Sequence, residues 1–327
     1  MREHDRRGPT TFLRRSVVMS YIIQAENLSK SYGDFRALKG ISFHINKGEC
    51  FGFLGHNGAG KSTTMRMIYG LSTVNEGKLE VLGERISPLT PAHIKKIFGI
   101  VPQEDNLDPD LSVIENLEVY GGYFNISSLE ARKRGKELLQ FMGISDKMDV
   151  NVEKLSGGAK RRLVIARALI NKPEIIILDE PTTGLDPQGR RLVWQKLRRL
   201  KEEGATMLLT THYMEEAAQL CDRLAIMNDG LILAEGSPEQ LIEEYVLPFV
   251  IEVRVPIEML PPDINEKVEE MGGKAEYMAD SLFIFAVNGK EMWDNIHEIG
   301  LAQHACYLRP TNLEDVFLKL TGKRDQP

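Results

Sequence analysis

Residues Gly55-His56-Asn57-Gly58-Ala59-Gly60-Lys61-Ser62 fit the pattern G-x-x-x-x-G-K-[ST] and follow the apolar run CFGFL, the strand-then-loop setting that a phosphate cradle requires. Glycines at these positions let backbone N–H groups converge on phosphate oxygens. Lys61 is placed to bridge the outer phosphates of a nucleotide such as ATP, and the Ser62 hydroxyl suits a Mg²⁺ shell. Thr63 and Thr64 then open a helix whose positive end faces the anion. A second cluster closes the run EIIIL, where Asp179 suits the same Mg²⁺ shell and Glu180 stands one step nearer an attacking water as its base. A third, Leu155-Ser156-Gly157-Gly158 ahead of AKRRLVIARALI, offers a hydroxyl and free N–H groups at a helix start, again an arrangement that holds phosphate. A domain with one nucleotide loop has no obvious use for another such element, unless it acts on the nucleotide held by a partner copy.

The elements that must position these groups are legible in outline. From Tyr21 to about Gly236, short β-rich runs alternate with helical patterns, which predicts an α/β domain around a largely parallel sheet. The continuous apolar runs EIIIL (174–178) and TMLLTT (206–211) suit strands buried on both faces. Ligands of open α/β sheets bind beyond the carboxyl ends of strands, so Asp179, Glu180 and His212 stand where chemistry is expected. Between Asn106 and Asn151 the spacing turns helical, which predicts an inserted helical subdomain, about 106–165 when the helix start after Leu155 is included. Past Gly236-Ser237-Pro238 and a short helix, Phe249, Ile251, Val253 and Val255 alternate as in a strand, placing a boundary near residue 246. The rest reads as strand 249–255, helix 262–271, strands 274–278 and 281–287, helix 289–298 and strand 302–308. That is a ferredoxin-like βαββαβ order in a small α+β domain over 247–327, closed by a helix from about Asn312 to Leu320.

Composition bounds the function. At 327 residues, one large domain with a small companion is expected. A formal charge of −6 speaks against a dedicated nucleic-acid binder, which would carry a basic domain. Cys50, Cys221 and Cys306 are few, scattered and odd in number, as expected of reduced cytosolic thiols. No run of about 18 apolar residues is present, so the chain is not expected to enter a bilayer itself. The first residues, with Arg2, Arg6, Arg7, Arg14 and Arg15, lack a signal-peptide core and are read as a disordered tail over 1–20, upstream of a start at Met19. The basic run Lys196, Arg198, Arg199 and Lys201 reads as a solvated helix face, and His304 with Cys306 supplies two of the ligands a metal site needs, not a set.

Taken together and in order, Tyr32, the phosphate loop, Gln103 in VPQEDNL, LSGGA, LDEP, Gly184-Leu185-Asp186-Pro187 and His212 make the chain similar to the nucleotide-binding subunits of ATP-binding cassette (ABC) transporters over about Tyr21 to Gly236. The resemblance implies a head-to-tail homodimer in which each nucleotide lies between the phosphate loop of one copy and the LSGG signature of the other, so that Ser156, Gly157 and Gly158 serve the partner's ATP. It assigns Tyr32 to adenine stacking, Gln103 to Mg²⁺ and γ-phosphate sensing, Asp186 to interface coupling and His212 to a γ-phosphate contact. Read singly, Tyr32 is better taken as a half-buried loop aromatic, Gln103 as a solvated amide and His212 as a satisfied histidine at a strand end; the ordered motif set reverses that preference. Ala159 departs from the glutamine frequent in the family, which puts contacts to the partner's nucleotide in doubt.

The stretches VPQEDNLDPDLSVIENLEVYGGYF, THYMEEAAQLCDRLAIMNDG and LRPTNLEDVFLKLTG resemble export-type subunits, among them the ATPases of bacterial exporters for nodulation-type lipo-oligosaccharides and anthracycline drugs. That resemblance implies a separate membrane permease, no direct contact with cargo, a cytoplasmic position on the inner face of the membrane, and a coupling surface near 103–123, where charge reversal at Glu104 or Asp105 should uncouple transport. An importer ATPase, or a soluble ABC ATPase that remodels ribosomes or DNA, are the competing readings. The latter usually fuses two cassettes or carries a long coiled coil, and this sequence has neither.

Overall fold

The computed structural model describes residues 21–322 except 88, 279, 280, 297 and 302, so the expectation for the N-terminal tail lies outside the described residues. Two sheets frame the first part of the chain. One is antiparallel, β2-β1-β4-β5, with β1 Ile23–Tyr32, β2 Phe35–Ile45, β4 Glu76–Val81 and β5 Glu84–Arg85. The other has the order β10-β9-β3-β8-β7-β6, from β3 Cys50–Leu54, β6 Phe98–Val101, β7 Ile175–Asp179, β8 Thr206–Thr211, β9 Arg223–Asn228 and β10 Leu231–Gly236. All its pairings are parallel except that of β10 with β9. It is the mixed, mainly parallel sheet expected of a phosphate-loop cassette.

The doubly buried strands behave as their composition requires. Along β7, Ile175 and Ile177 face an apolar cluster shared with Phe51, Phe53 and the antiparallel sheet. Ile176 and Leu178 face a second cluster with Leu163, Val164 and Leu209. A period of two thus leaves no face for water, and polar groups collect at the strand ends.

After β6 the chain becomes helical, through α3 Val113–Gly122 and α4 Ser128–Met142, before α5 Gly157–Ala168 returns to the sheet. Ser112 caps α3 in a reciprocal capping box with Glu115. Gly135 allows α3 and α4 to close up, since a Cβ there would stand 2.8 Å from Ile114 Cδ1.

The last part forms a sheet β12-β13-β11-β14, from β11 Phe249–Arg254, β12 Gly273–Met278, β13 Ser281–Ala286 and β14 Ala305–Pro310. All its pairings are antiparallel. With α9 Ile264–Glu270 and α10 Gly289–Asn295 this is the ferredoxin-like order, with strand ends shifted by up to a few residues from the sequence reading. One face, Ile251, Val253, Leu282 and Ile284, packs on Ile264, Val268 and Met292. The other, Val250, Phe283 and Phe285, joins the main core through Leu313, Val316 and Phe317 of α11, Leu313–Thr321. The apolar interior therefore runs on past residue 246. Asp315, fully buried, anchors α11 by accepting from Arg309 Nη1 and Nη2 at 2.7 and 2.8 Å and from the Asn312 N–H at 2.8 Å.

Candidate active site

The loop between β3 and α1, Lys61–Ile68, is set by glycines that no other residue replaces easily. Gly58 and Gly60 have φ of +87° and +105°, and a Cβ on Gly60 would meet Leu38 Cδ2 at 2.6 Å. Lys61 is buried and donates from Nζ to the carbonyls of Gly55 (2.7 Å) and His56 (3.0 Å). Burial holds its ammonium below the usual lysine range, while the carboxylates of Glu180 and Asp179 pull it back up.

Asp179 and Glu180 emerge from the carboxyl end of β7 as the strand pattern requires. Asp179 Oδ1 accepts from Ser62 Oγ at 3.2 Å and from Thr210 Oγ1. Glu180 is only 7% exposed, and its φ of +47° is a left-handed conformation that a non-glycine residue holds at a cost. Its Oε1 lies 4.0 Å from Lys61 Nζ and 3.3 Å from His212 Nδ1, without hydrogen-bond geometry to the latter, and its Oε2 accepts from Thr183 Oγ1 at 3.0 Å.

A cleft of about 390 Å³ is lined by Tyr32, Asn57, Gly58, Gly60, Lys61, Ser62, Thr63, Gln103 and Glu180, so the structure brings most of the candidate residues together. Tyr32 is half exposed at its mouth, its hydroxyl 3.4 Å from Ser72 Oγ. Asp179 and His212 join through Ser62 and Glu180. Two loop residues contribute backbone rather than side chain: Ala59 is turned into the core, and the His56 ring packs edge-on to Phe317 of α11, 4.6 Å between centroids.

Ser156, Gly157, Gly158 and Asp186 stand elsewhere, on a second cleft of about 370 Å³ lined also by Gly184 and Gly189. Ser156 caps α5, accepting from the Ala159 N–H at 3.4 Å, while the Ala159 side chain is buried in the core and does not line this cleft. Asp186 caps α6, Pro187–Glu202, accepting from the Gly189 N–H at 2.6 Å.

Several site residues escaped the sequence reading. Phe35 faces Tyr32 across the β1–β2 hairpin, is 63% exposed, and lines the first cleft. Thr210 holds both Asp179 Oδ1 and the Glu180 N–H. The basic run on α6 is less solvated than expected, since Lys196 and Arg199 both cover the Phe141 ring and Lys201 pairs with Asp222 at 2.7 Å.

Glu216, on α7 Met214–Leu220, is fully buried; its Oε1 accepts from Thr182 Oγ1 (2.6 Å) and Trp194 Nε1 (2.9 Å), tying the segment after Glu180 to α6 and to the helix after His212. Burial raises its pKa, opposed by hydrogen bonds from Thr182, Thr211 and Trp194 and by the Arg161 charge. A raised folded pKa favours the protonated form, so this contribution to stability is full below the unfolded glutamate value and lost as pH rises through the folded one. Glu216→Gln keeps an acceptor and cannot ionise. Its Tm relative to wild type is expected to rise as pH increases above the unfolded glutamate value, measured by calorimetry; a flat difference would refute the account.

The fold is that of an ATP-binding cassette. The family profile described as ABC transporter matches residues 38–183, and that described as the C-terminal domain of the nodulation factor export protein NodI matches residues 263–322. The chain belongs to the ATP-binding, ATP-hydrolysing subunits of the ABC transporter family. It is 43% identical over 304 residues to the Nod factor export ATP-binding protein I of Paraburkholderia xenovorans (strain LB400), covering 93% of this chain and 98% of that protein. Identity to the protein of that name from Cupriavidus metallidurans is 44% over 305 residues, with 93% and 99% covered. Among solved structures, the ATP-binding cassette MJ1267 in its ADP conformation matches with a TM-score of 0.62 at 29% identity, over 69% of this chain and 94% of that one. A dimeric post-hydrolysis state of the cassette MJ0796 bound to ADP and Pi matches with a TM-score of 0.60 at 32% identity, over 66% and 98%.

Proposed function

We propose that the chain is the ATP-driven motor of an exporter, acting as a head-to-tail homodimer beneath a separate membrane permease. The observation that carries the dimer is the division of phosphate-binding groups between two clefts that share no residue. A nucleotide held by Lys61 meets the hydroxyl and N–H groups of Ser156, Gly157 and Gly158 only when a second copy presents them. Export is favoured because the likeness to Nod factor exporters runs through the C-terminal unit as well as the cassette.

In this reading Tyr32 stacks on adenine, the loop N–H groups and Lys61 hold the phosphates, and Thr63 supplies a further N–H at the helix start. Glu180, its Oε1 near Lys61 and His212, takes the proton of the attacking water, and His212 contacts the γ-phosphate. The hard oxygens of Ser62 and Asp179 meet at 3.2 Å and, with the Gln103 amide on the same cleft, fit a Mg²⁺ ion, which would supply charge neutralisation on the phosphates. ATP closes the dimer and hydrolysis with phosphate release reopens it, giving the permease an alternating push.

No described helix is long and apolar enough to cross a membrane, and the proposed position is cytoplasmic, peripheral through the permease. The docking surface lies after Gln103. There a cleft of about 240 Å³ lies among Asn106, Leu111, Tyr120 and Tyr123, and Tyr123 is 75% exposed. Here Glu104 and Asp105 part company. Glu104 is exposed, whereas Asp105 has a carboxylate oxygen 3.7 Å from Arg161 Nη1 and a carbonyl that accepts from Arg167 Nη2. Glu104→Lys is therefore the clean test: transport into or out of vesicles by the co-purified complex is expected to fall severalfold while basal hydrolysis stays unchanged. Unaltered transport would sink the docking assignment, and inward-directed transport would favour an importer.

A further inference from the structure

Arg161 lies one turn into α5, the helix that Ser156 caps, and only 4% of it is exposed. A buried guanidinium persists only where its N–H donors are matched. They are matched here by backbone carbonyls from two separate segments. Nε donates to Pro181 O at 2.6 Å, and Nη2 to Asp179 O and Glu180 O at 3.1 Å each. Nη1 donates to Pro102 O at 2.6 Å and Gln103 O at 3.4 Å. One side chain thus fixes the backbone on both sides of the candidate base and the backbone of the glutamine that shares its cleft.

The Glu180 backbone needs such holding. Its left-handed φ persists only when its surroundings over-determine it. Its N–H is held by the carbonyl and hydroxyl of Thr210, at 3.1 Å each, and its C=O by Arg161. The first anchor belongs to the sheet. The second belongs to the helix whose N-terminus lines the other cleft.

We propose that Arg161 is a positioning residue that joins the two nucleotide sites of the dimer within one chain. Nucleotide of the partner copy, captured at the Ser156 end of α5, seats the helix. Arg161 then sets the carbonyls of Asp179, Glu180 and Gln103, and with them the carboxylate that acts on this copy's own nucleotide. The proposal rests on the head-to-tail reading and on Glu180 as base.

The test uses the full-length chain with MgATP. Arg161→Lys keeps the charge but cannot reach both segments, and Arg161→Gln removes the charge; steady-state hydrolysis, equilibrium ATP binding and Tm are measured for both. A displaced base costs roughly 10²-fold in rate. The expected result is a fall in kcat of that order in both variants, KM and binding changed by less than about threefold, and a Hill coefficient for ATP reduced from above 1 in wild type to 1. Wild-type kcat in Arg161→Lys, or a lowered kcat with the Hill coefficient kept, overturns the proposal. So does a loss of binding in step with Tm, which marks a merely structural arginine. Glu180→Gln, run alongside, separates the failures: near-normal turnover there would refute the base assignment and the role of Arg161 with it, whereas lost turnover there beside wild-type kcat in Arg161→Lys overturns the role of Arg161 alone.

Discussion

Glu180→Gln is expected to bind ATP normally and to lose roughly 10²–10⁴-fold in turnover, the range that a positioned base contributes. The substitution keeps size and one acceptor oxygen, so Thr183 Oγ1 retains an acceptor, and the Thr210 and Arg161 anchors, being made to backbone, are untouched. What is lost is the negative oxygen near Lys61 and His212. Removing a carboxylate from beside a buried ammonium also leaves Lys61 free to serve the phosphates alone. Nucleotide binding is therefore expected to hold, and the variant to accumulate as an ATP-bound closed dimer on size exclusion. Single-turnover hydrolysis within a few fold of wild type would remove Glu180 from the chemistry.

Lys61→Ala is expected to fail in the opposite order, at binding. Its ammonium is buried and already anchored to the carbonyls of Gly55 and His56, so it meets the phosphates with little ordering left to do. A hydrogen bond to a charged group contributes about 1.5–3 kcal/mol, and losing one or two at the outer phosphates weakens affinity by roughly 10–10⁴-fold. Equilibrium titration with a fluorescent ATP analogue reads this directly. Affinity within about threefold of wild type would mean that the loop amides do the holding without Lys61.

Most of the site was legible because its constraints are local. Gly58 and Gly60 answer to their own left-handed φ values, and Asp179 and Glu180 are announced by the apolar strand they end. The first strand of the ferredoxin-like unit was readable because Ile251 and Val253 alternate along it and pack on one face in a single cluster. Sequence spacing said less where the deciding neighbour is distant in the chain. Arg161 looked like one more basic residue of a helix, and only the folding of 102–103 and 179–181 around it reveals five carbonyl partners. Phe35 needed the hairpin to bring it to Tyr32. His56 satisfies the loop pattern as any residue would there, and its ring is claimed by a helix far downstream.

That last contact bears on how the molecule comes into being. A ribosome releases the phosphate loop early and α11 late, and the His56 ring has nothing to lean on until Phe317 has been made and Arg309 has drawn Asp315 into place. A growing chain therefore carries its nucleotide loop without the finished backing for most of its synthesis. The seating of α11 is thus the last step in building the support behind the loop, made by a residue more than two hundred and fifty positions downstream.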